Sequence, residues 1–167
     1  VRTGAGAVLA AVVLGAVWVG GIPFVILVAL AGIVLLREWT RMTAPSPRLF
    51  WRPLGLAYAT VPGVALIWLR LGTGSVWPVL GLLLVVWATD ISAYFAGRLI
   101  GGPKLAPRWS PNKTWAGLLG AMAGAAAVAA VLGAQGLWSA GAWTWATGLA
   151  VVAQAGDLAE SAMKRHF

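Results

Sequence analysis

Apolar residues in this chain gather into six long runs, not into short alternating patches. They cover roughly Gly4–Val19, Ile22–Leu36, Leu54–Leu69, Val76–Leu99, Trp115–Leu132 and Leu137–Ala155. A helix needs about 20 apolar residues to cross the hydrocarbon layer, within a range of about 17–25. The pattern therefore predicts an all-α, polytopic transmembrane bundle of about six spans. The first two runs are short and separated only by Gly20, Gly21 and Pro23, which suggests a tight hairpin or a kinked pair. A secretory signal peptide is the rival reading of the first run, given Arg2 before it. The second apolar run, which follows almost at once, favours the hairpin. No repeat or low-complexity linker divides the chain, so one membrane domain is expected, with N-terminal spans over 1–75 and a second part over 76–167.

Charge gives the spans a direction. Arg37, Arg41, Arg48 and Arg52 follow the second run, and Arg98, Lys104, Arg108 and Lys113 follow the fourth. Lys164 and Arg165 close the chain, and the connections on the other side hold only Arg70. Six spans with both termini inside put every cluster on the cytoplasmic face, as the positive-inside rule requires.

Composition agrees. Of the 167 residues, 60% are hydrophobic and 10% charged, against about 25% charged in an ordinary soluble domain. That excludes a water-soluble globule and a disordered chain. The net charge of +8 would suggest nucleic acid in a polar protein. Here the cations sit between apolar runs, so a lipid bilayer is the expected partner and nucleic acid is not. The 11 Trp residues fall largely near span ends, where an aromatic interfacial belt is the plainest account. The Gly- and Ala-rich stretch from Gly117 to Gly133 permits close helix packing in lipid. Cys is absent, which removes thiolate metal sites and disulfides.

Only four acids are present: Glu38, Asp90, Asp157 and Glu160. Charge inside a membrane is costly and usually functional. Asp90 lies in the fourth span, with Tyr94 one turn later. Helical spacing puts Asp157, Glu160, Ser161 and Lys164 on one face, with Arg165 at its edge. Carboxylates beside cations suit Mg²⁺ and phosphate, because Mg²⁺ is commonly held by one or two carboxylates plus substrate phosphates. A salt-bridged helix end, pairing Glu160 with Lys164 and leaving Asp157 and Ser161 solvated, explains the same face without a ligand. In the loop before the fifth span, Ser110 suits an N-cap and Pro111 a first helical position. The amides of Asn112, Lys113 and Thr114 would then form an anion site at a helix N-terminus. A basic interfacial loop is the alternative. Lys113-Thr114 is not a P-loop, since neither the glycine spacing nor a preceding strand is present. His166, one residue from the chain end, is not expected to serve as a metal ligand or acid–base group.

Three ordered segments carry a resemblance: Asp90-Ile91-Ser92-Ala93-Tyr94-Phe95-Ala96-Gly97-Arg98, Ser110-Pro111-Asn112-Lys113-Thr114-Trp115, and Gly156-Asp157-Leu158-Ala159-Glu160-Ser161-Ala162-Met163-Lys164-Arg165. Together they resemble the phosphatidate cytidylyltransferase family, over about the second half of the chain. The resemblance implies transfer from CTP to phosphatidic acid, with Mg²⁺, giving CDP-diacylglycerol and pyrophosphate. It implies an integral protein of the bacterial inner membrane with its site facing the cytoplasm, and it allows a homodimer. It matches Asp157 to a metal-coordinating aspartate, and Ser161, Lys164 and Arg165 to phosphate-binding groups, the last two catalytic with Asp157. Ser110, Lys113 and Thr114 match a substrate-region motif; Asp90, Tyr94 and Arg98 match another substrate segment.

Two departures stand out. Ala116 occupies a position where the family often has Glu. The chain stops at Phe167, before the second metal-binding aspartate that the family pattern would supply, and it begins with Val1. We therefore expect a fragment that is inactive alone. Two other functions fit a basic multi-span protein: a CTP-dependent lipid-alcohol kinase and a small transporter. A transporter would spread polar residues through the depth of several spans, whereas here the charges gather at one face.

Overall fold

The computed structural model describes the backbone of residues 2–44 and 49–166, with side chains described for 4–44 and 49–163. Arg48 lies outside the described residues. Six helices occupy the six expected runs: α1 (Arg2–Val19), α2 (Gly21–Thr43), α3 (Trp51–Gly72), α4 (Trp77–Leu99), α5 (Trp115–Ala134) and α6 (Ala142–His166). Four of them, α2 to α5, are long and apolar enough to cross a membrane. The apolar part of α1 is shorter, covering Gly4–Val19, and α6 carries Gln154, Asp157 and Glu160 along its second half. All-α character and a membrane bundle are as the sequence predicts.

The helix starts follow local chemistry. Trp is the first residue of α3, α4 and α5, consistent with aromatic anchoring at the interface. Pro23, Pro53 and Pro78 fall within the first turns of α2, α3 and α4, where the missing N–H has no intrahelical partner to lose. Large apolar side chains such as Ile22, Leu119 and Trp145 remain exposed along the helices. Such surfaces suit contact with lipid.

The chain forms two compact units, Val1–Val79 and Leu80–His166. In the first, α2 packs on α3, and the Trp39 indole donates to the Trp51 carbonyl at 2.8 Å. Trp39 also lies against Gly55, where a Cβ would collide with its ring. Arg70, near the end of α3, donates from Nε to the Val17 carbonyl at 2.7 Å and from Nη2 to the Trp18 carbonyl at 3.0 Å. It thus satisfies carbonyls left open at the end of α1.

In the second unit α5 has two small-residue faces. Ala121, Ala125 and Ala129 are buried in one cluster with Ala142, Ala146 and Ala150 of α6, so two alanine stripes at four-residue spacing meet. On the α4 side, Cβ atoms at Gly120 and Gly124 would collide with Ala96, Ser92 and Ala88. Packing of this kind holds helices together in lipid, where the hydrophobic effect does not drive association.

The connection from α4 to α5 differs from the sequence expectation. Gly101 and Gly102, at φ 67° and 93°, turn the chain after α4. A two-stranded antiparallel hairpin follows, β1 (Lys104–Ala106) and β2 (Ser110–Thr114), with Lys104 opposite Thr114 and Ala106 opposite Ser110. Its turn is closed by Trp109 N–H donating to the Ala106 carbonyl at 3.1 Å, with Pro107 inside the turn. Ser110 is therefore not an N-cap, Pro111 does not open a helix, and the amides of Asn112 to Thr114 are not a helix N-terminus. Thr114 is the cap. Its hydroxyl accepts from Gly117 N–H at 3.0 Å, with extended backbone as an N-cap needs.

Candidate active site

Strand β2 runs straight into α5, so the cap at Thr114 fixes where Lys113 projects. Lys113 Nζ donates to Asp157 Oδ2 at 2.8 Å. The same ammonium lies 3.5 Å from the Gln154 carbonyl, one turn earlier on α6. Its side chain is 22% exposed and that of Asp157 55%. The pair is therefore partly screened, and a wetted pair of this kind adds only about 0–1 kcal/mol to stability. Its position says more than its strength: it joins the hairpin to α6 across an open cavity.

That cavity, of about 650 Å³, is lined by α4, β2, the start of α5 and α6. Seven residues singled out in the sequence meet there: Asp90, Tyr94 and Arg98 from α4, Ser110, Lys113 and Thr114 from β2, and Asp157 from α6. They are separated by up to 67 positions in the chain and reach one space because α4, α5 and α6 pack through small residues. Arg98 Nη1 donates to the Tyr94 hydroxyl at 2.6 Å, and its guanidinium carbon lies 5.9 Å from the ring centre. One turn of helix thus presents a cation and a phenol together at the outer end of α4.

Ser161 is half-buried and does not line the cavity. Lys164 and Arg165 continue α6, but their side chains, like that of His166, lie outside the described residues. Asp157 takes a lysine from a different element, so the solvated helix end is not the arrangement it adopts. Thr114 has a structural duty, capping α5, and is only 4% exposed.

Sequence reasoning missed Gln154. It is 7% exposed and lines the same cavity as Asp90 and Asp157. The available signal was an amide set in the apolar stretch Val151-Val152-Ala153-Gln154-Ala155, three residues before Asp157 on the same helix face. Asn112, on β2 beside Lys113, also lines the space.

The donor set suits a hard divalent cation shared with phosphate. Among the described residues no three His, Cys, Asp or Glu side chains cluster as a metal cage. Asp157 instead offers a carboxylate to an open cavity. Mg²⁺ is held in just this manner, by one or two carboxylates with the remaining ligands from substrate phosphates and water. Lys113 and Arg98 supply positive charge for phosphate oxygens on the same walls.

Comparison with known proteins gives the same region a family. The cytidylyltransferase family profile matches residues 49–167, which include every residue of the cavity. Phosphatidate cytidylyltransferases of Brucella abortus (strain 2308) and Brucella melitensis biotype 1 are each 36% identical over 216 aligned positions, covering 96% of this chain and 79% of their own length. The aligned stretch is longer than the chain, so these relatives carry residues within it that this chain lacks. The phosphatidate cytidylyltransferase of Rickettsia bellii is 36% identical over 109 residues, covering 65% of this chain and 46% of its own. No solved structure matches the chain. The motifs, the cavity they build and the extent of these matches show that this chain belongs to the phosphatidate cytidylyltransferase family.

Proposed function

We infer that this protein transfers a cytidylyl group from CTP to phosphatidic acid, forming CDP-diacylglycerol and releasing pyrophosphate. Family membership supports the reaction. The observation that supports the location is the single cavity joining Lys113, Asp157, Asp90 and Arg98 at one end of three helices.

The chemistry asks little covalent work of the protein. A phosphate oxygen of the lipid attacks the α-phosphorus of CTP while pyrophosphate leaves in line, so positioning and charge neutralisation supply the catalysis. Arg98 and Lys113 offset the charge of the phosphates. Asp157 would hold Mg²⁺, which supplies electrostatic stabilisation of the phosphate oxygens when bound. The Lys113 ammonium holds the Asp157 carboxylate in place. Ser110 and Asn112 offer hydrogen bonds from the hairpin. Ser161, Lys164 and Arg165, further along α6, would be the phosphate-binding groups that the family resemblance implies. The site would face the cytoplasm of a bacterial inner membrane, where CTP is supplied and the lipid enters sideways from the bilayer.

The test identifies the product. With CTP labelled at its α-phosphate and phosphatidate in vesicles, the intact protein should move label into the lipid phase with one pyrophosphate per label. Transfer of the γ-phosphate to a lipid alcohol would replace this reading with a kinase.

A further inference from the structure

Two polar residues of the cavity wall, Gln154 and Asp90, lie further from the C-terminal ends of α6 and α4 than Asp157 and Arg98 do. Gln154 precedes Asp157 by one turn, about 4.5 Å along α6, and Asp90 lies two turns, about 12 Å, before Arg98 along α4. Gln154 is only 7% exposed. Its backbone carbonyl faces Lys113, and the residue lines the cavity. An amide in an otherwise apolar stretch of α6 that reaches the cavity wall can serve a ligand there.

The chemistry of these two residues selects what that ligand is. A phosphate there would meet the Asp90 carboxylate and be repelled by it. A neutral edge that offers a donor beside an acceptor meets both groups without repulsion. Cytosine has that edge: an exocyclic amino donor next to the ring N3 acceptor. A cavity of about 650 Å³ lies within the range of about 300–1,000 Å³ usual for small-molecule sites.

We propose that Asp90 and Gln154 read the cytosine base, Asp90 accepting from the 4-amino group and Gln154 donating to N3. The inference rests on cytidylyl transfer as the function and adds how the nucleotide is chosen. The two residues have different duties. An amide can turn over, so Gln154 alone would accept uracil equally well. A carboxylate cannot donate, so Asp90 sets the sign of the recognition: uracil would bring its O4 carbonyl against it. With the base at Asp90 and Gln154, the triphosphate runs past Asp157 and Lys113.

The experiment compares CTP, UTP and a CTP analogue lacking the 4-amino group as donors to phosphatidate, using the intact protein. A well-made base contact discriminates by about 10- to 100-fold, and the wild-type protein should show a KM rise of that order for the analogue. Asp90→Asn should narrow the CTP-to-UTP ratio of kcat/KM by a similar factor, and the analogue should lose its extra penalty there. Gln154→Leu should raise KM for CTP with kcat changed only a few-fold. The analogue arm uses unaltered protein, so poor folding of a variant cannot decide the result. The proposal is overturned if wild type uses the analogue as well as CTP, if Asp90→Asn lowers rates while the ratio stays fixed, or if added Mg²⁺ restores Gln154→Leu. Absence of any cytidylyl transfer by wild type would instead overturn the function reading, a distinct outcome.

Discussion

Lys113 and Asp157 are 44 residues apart and meet at 2.8 Å. The contact fixes the end of a β-hairpin to a helix and brings together the two groups best suited to a nucleoside triphosphate and its metal. Because both side chains are partly exposed, the pair should matter more for function than for stability. Lys113→Met is expected to change the unfolding free energy by no more than about 1 kcal/mol. Its cytidylyl transfer rate should fall on the order of 100-fold, the scale of losing one preorganised charge at a transition state. Thermal unfolding in detergent and initial rates on the same preparation check both halves.

Thr114 makes the opposite prediction. Its hydroxyl caps α5 and is buried, so Thr114→Val should lower stability by about 1 kcal/mol. Thr114→Ser, which keeps the cap, should restore most of it. Equal stability of the two variants would remove the capping role.

The helices were legible in the sequence because membrane crossing imposes a length and an apolar composition on each segment. The meeting of Asp90, Lys113 and Asp157 was legible only through the ordered motifs, since no local pattern reports which distant residues share a space. The hairpin was not legible. Ser110-Pro111 satisfies the local rules for a helix start, but the strand pairing of Lys104 with Thr114 shifts the cap four residues on, and tertiary pairing overrides local preference. Gln154 was missed for a similar reason: one amide in an apolar run acquires meaning only when its burial and its neighbours are known.

Packing of α4 on α5 rests on glycine at named positions. At Gly124 a Cβ would collide with Ser92 and lie 2.9 Å from the Ala88 carbonyl, so Gly124→Ala should cost about 1–3 kcal/mol. Gly148, on α6, has open space around it. Gly148→Ala should be neutral or stabilising by up to about 1 kcal/mol. Urea or SDS titration of the two variants side by side measures the contrast.

In the N-terminal unit, Arg70 holds the end of α1 through two backbone carbonyls while only 9% exposed. Hydrogen bonds from a charged donor contribute about 1.5–3 kcal/mol, so Arg70→Met should destabilise by about that amount. Amide exchange over the last turn of α1 should accelerate in the variant, and unchanged exchange there would show that the contact does not hold the helix end.

The most direct test of the central claim, that cytidylyl transfer takes place in the cavity around Asp157, is the rate of CDP-diacylglycerol formation by Asp157→Asn in membranes beside wild type. Asparagine keeps the shape and removes the charge. A loss of at least about 100-fold is expected, with CTP-dependent transfer retained by wild type and the variant still folded. Near-normal transfer by Asp157→Asn at ordinary Mg²⁺ would contradict it.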